Sequence, residues 1–259
     1  MLENERIEQL ALLLYEAERE VKPVSPLSDL EALDEVDAYA IQTLNINRKL
    51  QEGSLIVGKK IGLTSIAMQE MIGVDTPDFG ILLDNMDVKN GQFLTNRLLQ
   101  PKVEAEIAFV LKADLTGPNL TIEDVIEATD YVVASFEIVD SRIKDWKIKL
   151  TDTVSDNASS GQFVLGTKKI DPKVIDLREV EMNFYKNGEL INSGKGSAAL
   201  GHPAFCVAWL GNKLASYGVS LKKGEVILSG ALSAALPASK GDTFRAEFSE
   251  LGSVIAQFV

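Results

Sequence analysis

The sequence is poor in cysteine and histidine, and each shortage excludes a class of site. Its 259 residues contain one cysteine, Cys206, so an intramolecular disulfide framework is excluded and a reducing compartment is indicated. Cys206 lies in the apolar stretch 204–210, where we expect a buried and unreactive thiol. The one histidine, His202, excludes a metal site built from several imidazoles. Its position at a predicted helix start indicates a capping or structural role.

Positive charge and long apolar runs are also scarce. The 26 Lys and Arg residues are outnumbered by 38 Asp and Glu residues, for a formal net charge of −12. Nothing supplies a basic face for phosphates, so we expect no nucleic-acid partner, although a small anionic substrate near a metal is still allowed. No apolar run approaches transmembrane length, and the charged residues 1–6 do not resemble a signal peptide. We therefore expect a cytoplasmic protein without a membrane partner.

The apolar patterning predicts helices first and strands afterwards. Helical spacing over 7–17 is broken at 21–26, and a second helix is predicted from residue 36 to about 51. Further helices are predicted at 122–128 and 202–217. Short β-rich runs are predicted at 55–61, 102–111, 131–140, 162–166, 179–186, 225–229, 243–248 and 253–259. This mixture favours an α+β fold with a mixed, curved sheet. We divide it into an N-terminal helical segment, 1–55, and a core, 56–259.

Two carboxylates one residue apart lie inside the apolar, β-prone run 102–110. In a strand, Glu104 and Glu106 would share a face, roughly 7 Å apart. Glu137 lies in a second apolar run, 131–139. Burying unpaired carboxylates costs several kcal/mol each, so three of them indicate a hard divalent cation, Mg²⁺ or Mn²⁺. An ion pair with Lys or Arg, or a solvent-facing edge strand, is the open alternative.

Three other segments could carry chemistry. The run 58–65 holds two adjacent lysines, of which Lys60 is predicted to face the site and Lys59 the opposite side of the strand. Asp78 follows a proline in a predicted turn-forming loop, where a turn role is the commoner alternative. The polar cluster 152–161 is typical of a surface loop, with a binding loop as the sharper alternative.

These segments together resemble the 2-keto-4-pentenoate hydratase branch of the fumarylacetoacetate hydrolase superfamily, which serves aromatic meta-cleavage pathways. The resemblance covers nearly the whole chain and rests on residues 58–65, 76–80, 102–106, 140–142, 156–159, 200–203 and 252–254. It implies the fumarylacetoacetate hydrolase C-terminal-like fold. It also implies that Glu104, Glu106 and Glu137 bind Mg²⁺ or Mn²⁺. Lys60 and Asp78 are then expected to be catalytic. The residues expected to bind substrate are Leu63, Thr64, Ser159, Ser229 and Gly230.

The implied activity is that of a hydro-lyase. Such enzymes add water to 2-hydroxypenta-2,4-dienoate (2-oxopent-4-enoate) to give 4-hydroxy-2-oxopentanoate. The resemblance also implies a homo-oligomer, with a pathway decarboxylase or aldolase as a candidate partner enzyme. The substrate is expected to be a small 2-hydroxydienoate.

Two alternatives to a hydratase remain open. One is a 4-oxalocrotonate (2-oxo-3-hexenedioate) decarboxylase, and the other is a non-catalytic partner. Asp78 favours the hydratase, since the decarboxylases are expected to carry an apolar residue there. The segments 152–154 and 229–231 also match the hydratase pattern, although relatives often have Thr at the position of Ser229.

Overall fold

The N-terminal part of the chain is helical, as predicted. The computed structural model describes residues 2–66, 69–70 and 73–259. Its first three helices are α1 (Asn4–Glu20), α2 (Leu27–Leu30) and α3 (Glu35–Gln51). Helix α3 starts at a capping box in which the Asp34 carboxylate accepts the Asp37 backbone N–H at 2.9 Å. The short helix α2 was not predicted.

After these helices, the described residues form twelve strands. They are β1 (Ile56–Gly62), β2 (Asp78–Leu83), β3 (Gln92–Phe93), β4 (Pro101–Leu111), β5 (Thr129–Asp140), β6 (Ser160–Leu165), β7 (Glu181–Lys186), β8 (Glu189–Lys195), β9 (Val226–Ala231), β10 (Leu236–Pro237), β11 (Thr243–Phe248) and β12 (Gly252–Phe258). The larger sheet has the order β2-β1-β9-β4-β5-β6, with β10 added on β4. Strands β1 and β9 run parallel and the other pairs are antiparallel, so the sheet is mixed.

A second sheet, β3-β12-β11-β7-β8, packs against the first. Strands β7 and β8 form a hairpin at Asn187-Gly188, where both residues have positive φ, as the Asn-Gly signal predicts. Aromatic rings join the sheets: Phe136 of β5 lies 5.3 Å from Phe184 of β7, measured between ring centroids. The predicted α+β class with a mixed sheet is confirmed.

Later in the described part of the chain are the helices α4 (Ile122–Ala128), α5 (Leu150–Ser155) and α6 (Pro203–Ala215). His202 caps α6, because its Nδ1 accepts the Ala204 N–H at 3.0 Å. Cys206 of α6 is fully buried, and burial raises the pKa of its thiol. Both observations agree with the sequence analysis. Among the described residues, no helix combines the length and apolar character needed to cross a bilayer.

Two local predictions were wrong. Asp78 does not lie in an irregular loop but begins β2, where it pairs with Gly62. The turn ends at Pro77, and the apolar residues after Asp78 extend the strand. The polar cluster 152–161 is not a surface loop, because Asp152 to Asp156 are all buried. Ser28 donates hydrogen bonds to the Asp152 carboxylate, and Arg142 donates to the Asp156 carboxylate.

The N-terminal helices share the core of the sheet. Tyr39 of α3 stacks on Phe79 of β2 with ring centroids 4.7 Å apart. Ile46 of the same helix belongs to a buried cluster with Leu82, Ala108 and Leu228. Helix α3 therefore covers one face of β1 and β2.

Candidate active site

Three glutamates come together on adjacent antiparallel strands. Glu104 and Glu137 are directly opposite each other in the pairing of β4 with β5, and Glu106 follows on the same face of β4. One carboxylate oxygen from each lies within 4.8 Å of the other two. Glu106 and Glu137 are buried, whereas Glu104 is partly exposed. The cluster is therefore closed on the core side and accessible beside Glu104.

The electrostatics of this cluster fit a bound cation. Burial raises the pKa of Glu137 to about 7, against the opposing effect of Lys60. Burial, then repulsion from Glu137 and Glu104, raises the pKa of Glu106 well above its usual range. Within the described chain, Oε1 of Glu106 and Oε2 of Glu137 have no hydrogen-bond partner. Buried acidic oxygens without donors are the ligands that a hard divalent cation requires.

The backbone of β9 orients one of these carboxylates. The Gly230 N–H donates to Oε2 of Glu106 at 2.8 Å, which leaves Oε1 free for a ligand. Gly230 has a φ of +107°, and a Cβ there would lie 2.1 Å from Oγ1 of Thr64. Glycine is therefore required at this position for both conformation and space.

Lys60 brings a positively charged side chain into the site. Its Nζ lies 3.2 Å from Oε1 of Glu137, and the side chain is buried. Burial alone would lower the pKa of Lys60, but the carboxylates of Glu137 and Asp78 outweigh it and raise the pKa. Lys59 points to the opposite face of β1, where its Nζ pairs with Glu225 at 2.7 Å.

Asp78 faces the same space from β2. Its Oδ2 accepts the Thr153 hydroxyl at 3.3 Å, while Oδ1 has no hydrogen-bond partner in the described part of the chain. Burial raises the pKa of this carboxyl, and Lys60 opposes the increase. The site therefore holds an acid with a free oxygen beside a lysine and three glutamates.

The predicted substrate-binding residues differ in whether their polar groups are already bonded to protein atoms. Thr64 is buried against Gly230, whose N–H donates to Glu106, so Thr64 lies on the Glu106 side of the site. Leu63, the residue before it, has a φ of +57°. The Ser229 hydroxyl, in contrast, donates to the Ile107 carbonyl at 2.8 Å. The Ser159 hydroxyl donates to Oδ2 of Asp156 at 3.2 Å. Both hydroxyls thus have protein partners.

A turn that the sequence analysis did not locate covers the site beside Lys60. Residues 157–159 all have φ between +50° and +55°, a strained conformation for non-glycine residues. Gly80 pairs with Lys60, and a Cβ on Gly80 would lie 2.5 Å from the Asn157 carbonyl oxygen. The turn therefore packs directly on β2.

A buried ion pair holds this turn. The Arg142 guanidinium pairs with the Asp156 carboxylate and also donates to the Ser160 carbonyl at 2.8 Å. Burial raises the pKa of Asp156 to about 6, and Arg142 opposes the increase. The segments 140–142 and 156–159 are among those on which the resemblance rests, and this was the only indication in the sequence that they matter for the site. Their contact with each other could not be read from the sequence.

Residues 80–259 match the family model for the fumarylacetoacetate (FAA) hydrolase C-terminal domain. The chain belongs to this family. Within it, the chain is 46% identical to the 2-hydroxyhexa-2,4-dienoate hydratase of Comamonas testosteroni, over 100% of this chain and 99% of the relative. It is also 46% identical to the 2-keto-4-pentenoate hydratase of Paraburkholderia xenovorans (strain LB400), over 97% of this chain and 94% of the relative.

Solved structures agree with this placement. The 4-oxalocrotonate decarboxylase from Pseudomonas putida G7, complexed with magnesium and adipate, superposes with a TM-score of 0.96 at 39% identity. The alignment covers 100% of this chain and 99% of the decarboxylase. The fumarylpyruvate hydrolase from Pseudomonas aeruginosa has a TM-score of 0.62 at 12% identity, covering 78% of this chain and 88% of that chain, and shows the shared fold alone.

Proposed function

We propose that this protein is a divalent-metal-dependent hydratase that adds water to 2-hydroxypenta-2,4-dienoate and gives 4-hydroxy-2-oxopentanoate. The observation that carries the proposal is the position of Lys60 and Asp78 beside the three-glutamate cluster. Curated relatives with hydratase activity, 46% identical over nearly the full length, support it. Its place would be the meta-cleavage catabolism of aromatic compounds in the cytoplasm.

Glu104, Glu106 and Glu137 would hold the metal, which we propose is Mg²⁺ or Mn²⁺. The decarboxylase of similar structure was crystallised with magnesium or with calcium, which supports a hard divalent cation. When bound, the cation would stabilise negative charge on the carboxylate and 2-oxygen of the substrate.

Asp78 would move the protons, and Lys60 would stabilise the negative charge that forms. Converting the dienol to the unsaturated 2-oxo acid needs a proton delivered to C5 and the 2-hydroxyl proton removed. Water then adds at C4 while a proton goes to C3, so the overall reaction consumes one water. Asp78 has a free oxygen and a raised pKa, which suit an acid that also acts as a base. Lys60 stays charged and stabilises anionic oxygen next to Glu137.

The second candidate is a decarboxylase that releases CO₂ from 2-oxo-3-hexenedioate. The 0.96 TM-score to the Pseudomonas putida decarboxylase favours it. Identity to that decarboxylase is 39%, lower than the 46% to the hydratases, and Asp78 is the acid that hydration needs. We therefore prefer the hydratase.

Product identification separates the candidates. The purified protein with Mg²⁺ is mixed with freshly generated 2-hydroxypenta-2,4-dienoate, and the product is identified by NMR. The expected product is 4-hydroxy-2-oxopentanoate. Release of CO₂ from 2-oxo-3-hexenedioate without hydration of the dienol would make the protein a decarboxylase. Failure of both reactions would indicate a non-catalytic partner.

We further propose a homo-oligomer, in keeping with the resemblance, with a pathway decarboxylase or aldolase as candidate partner enzyme. Light scattering of the purified protein measures the first. Co-purification with the decarboxylase and with the aldolase tests the partnership. A monomeric protein that binds neither enzyme would contradict both proposals.

A further inference from the structure

We propose that Thr153 is a positioning residue for the reaction, which holds the Asp78 carboxylate so that a single oxygen faces the substrate. The inference rests on the proposed function and deepens it. It starts from an asymmetry between the two oxygens of Asp78. Oδ2 accepts the Thr153 hydroxyl at 3.3 Å, whereas Oδ1 has no hydrogen-bond partner among the described residues. Both side chains are at least 96% buried, with exposed fractions of 2% for Asp78 and 4% for Thr153.

Oδ1 of Asp78 lies close to the backbone of β1 at Gly62. Gly62 pairs with Asp78, and a Cβ on Gly62 would lie 2.1 Å from Oδ1 and 3.4 Å from Nζ of Lys60. Any larger residue at position 62 would displace the carboxylate. Oδ1 therefore shares one small space with the Lys60 ammonium, and Thr153 occupies the other side of the carboxylate.

Thr153 is itself fixed by the N-terminal helices. Gln42 of α3 donates from Nε2 to the Phe79 carbonyl at 3.0 Å and to the Val154 carbonyl at 3.1 Å. These carbonyls belong to the residues that follow Asp78 and Thr153. One buried amide thus ties β2 to α5 beside the Asp78–Thr153 contact.

A second link fixes the start of α5. The fully buried Asp152 carboxylate accepts the Ser28 N–H at 2.9 Å and the Ser28 hydroxyl at 2.7 Å. Helices α2 and α3 thus both hold α5, which carries Thr153. A hydroxyl so fixed can select one orientation of the carboxylate, and pre-orientation of an acid lowers the barrier to proton transfer.

The test compares two substitutions that differ in one hydroxyl. Thr153→Val keeps the shape and removes the donor, and Thr153→Ser keeps the donor. We expect Thr153→Val to lower kcat for hydration by about tenfold or more, the effect of about one hydrogen bond. KM and Mg²⁺ affinity should stay within about twofold, and Thr153→Ser should restore most of kcat. Wild-type kcat in Thr153→Val, or equal losses in both variants, would overturn the proposal.

Thr129 supplies the matched control. Its hydroxyl is also buried and donates to the Val125 carbonyl at 2.7 Å, away from the site. Thr129→Val should lower the free energy of unfolding and leave kcat unchanged. If Thr129→Val lowers kcat as much as Thr153→Val, the effect is general destabilisation and the proposal is wrong.

A double-mutant cycle shows whether Thr153 acts through Asp78. In an Asp78→Asn background, Thr153→Val should cause little further loss of kcat, because no catalytic carboxyl remains to be positioned. Additive losses would overturn the proposal.

A crystal structure of Thr153→Val shows the orientation of the Asp78 carboxylate independently of any activity assay. A rotated or disordered Asp78 carboxylate supports the proposal, and an unchanged one contradicts it. If wild-type protein hydrates no dienol, the proposed function fails, and this structure still decides whether Thr153 positions Asp78.

Discussion

Two adjacent lysines of β1 have different surroundings at the residue scale. Lys60 faces Glu137 and the acidic cluster, and Lys59 pairs with Glu225 on the other face of the sheet. Alternation along a strand separates two identical side chains in this way. The pair therefore tests which face carries the chemistry.

Lys60→Ala should reduce turnover far more than Lys59→Ala. Lys60 contacts a proposed metal ligand, whereas Lys59 contacts none of the site residues. Steady-state kinetics on folded protein measure the difference, and equal effects would contradict it. Lys59→Ala leaves the Glu225 carboxylate buried without its cationic partner, which costs about 3–5 kcal/mol. The double variant Lys59→Met with Glu225→Gln removes both charges and is the sounder control.

Asp78→Asn keeps the shape of the side chain and removes its proton chemistry. We expect hydration to slow by about 10²–10⁴-fold, the usual contribution of a general acid or base. Mg²⁺ affinity should stay near that of the wild type, because Asp78 is not one of the three clustered glutamates. Calorimetric titration with Mg²⁺ and assay of the dienol measure the two effects. Wild-type rates in this variant would remove Asp78 from the mechanism.

At the scale of elements, helix α6 depends on a histidine cap. The Nδ1 of His202 accepts the Ala204 N–H, so the cap requires a neutral imidazole. Burial lowers the pKa of His202 from its usual 6.5. The unfolded chain therefore binds this proton more readily than the folded protein. The cap contributes stability above pH 6.5 and loses it as the pH falls from there through the lower folded pKa.

His202→Ala should reduce the free energy of unfolding by about 1 kcal/mol at neutral pH, the usual effect of losing a cap. The difference between variant and wild type should shrink as the pH falls below 6.5. Urea unfolding across this range measures it, and no other histidine interferes. A difference that does not change with pH would show that the imidazole acts through packing instead. Activity should be unchanged.

At the scale of the whole molecule, the acidic cluster opposes folding of the metal-free protein at high pH. Burial raises the pKa of Glu137 to about 7 from 4.5. Between these values the folded protein binds more protons than the unfolded chain, so its stability falls as the pH rises through this window. A divalent cation would replace those protons.

Mg²⁺ should therefore raise Tm, and by more at about pH 8 than at about pH 6, because protons compete for the same oxygens. At about 100 times the dissociation constant, one bound ion contributes about 2.7 kcal/mol, which is a shift of several degrees. Thermal unfolding with Mg²⁺ and with EDTA measures the shift. Glu106→Gln should largely abolish it, and unchanged Mg²⁺ affinity in that variant would rule out the proposed ligand set.

Local chemistry determined several features from the sequence alone. Alternation places Glu104 and Glu106 on one face, and Asn187-Gly188 specifies a tight hairpin, because each depends on neighbouring residues. The helix start at His202 and the buried Cys206 were also predictable from a few adjacent residues. These short-range rules predicted most strands and the longer helices.

Only the tertiary structure decided how distant segments meet. It determined that Glu104 pairs with Glu137, that Lys60 lies beside them and that Thr153 contacts Asp78. It also placed Asp78 in a strand and buried the polar segment 152–156. These contacts join residues that are 33 to 77 positions apart. Strand register and helix packing depend on the whole core, so they cannot be predicted from a local sequence pattern.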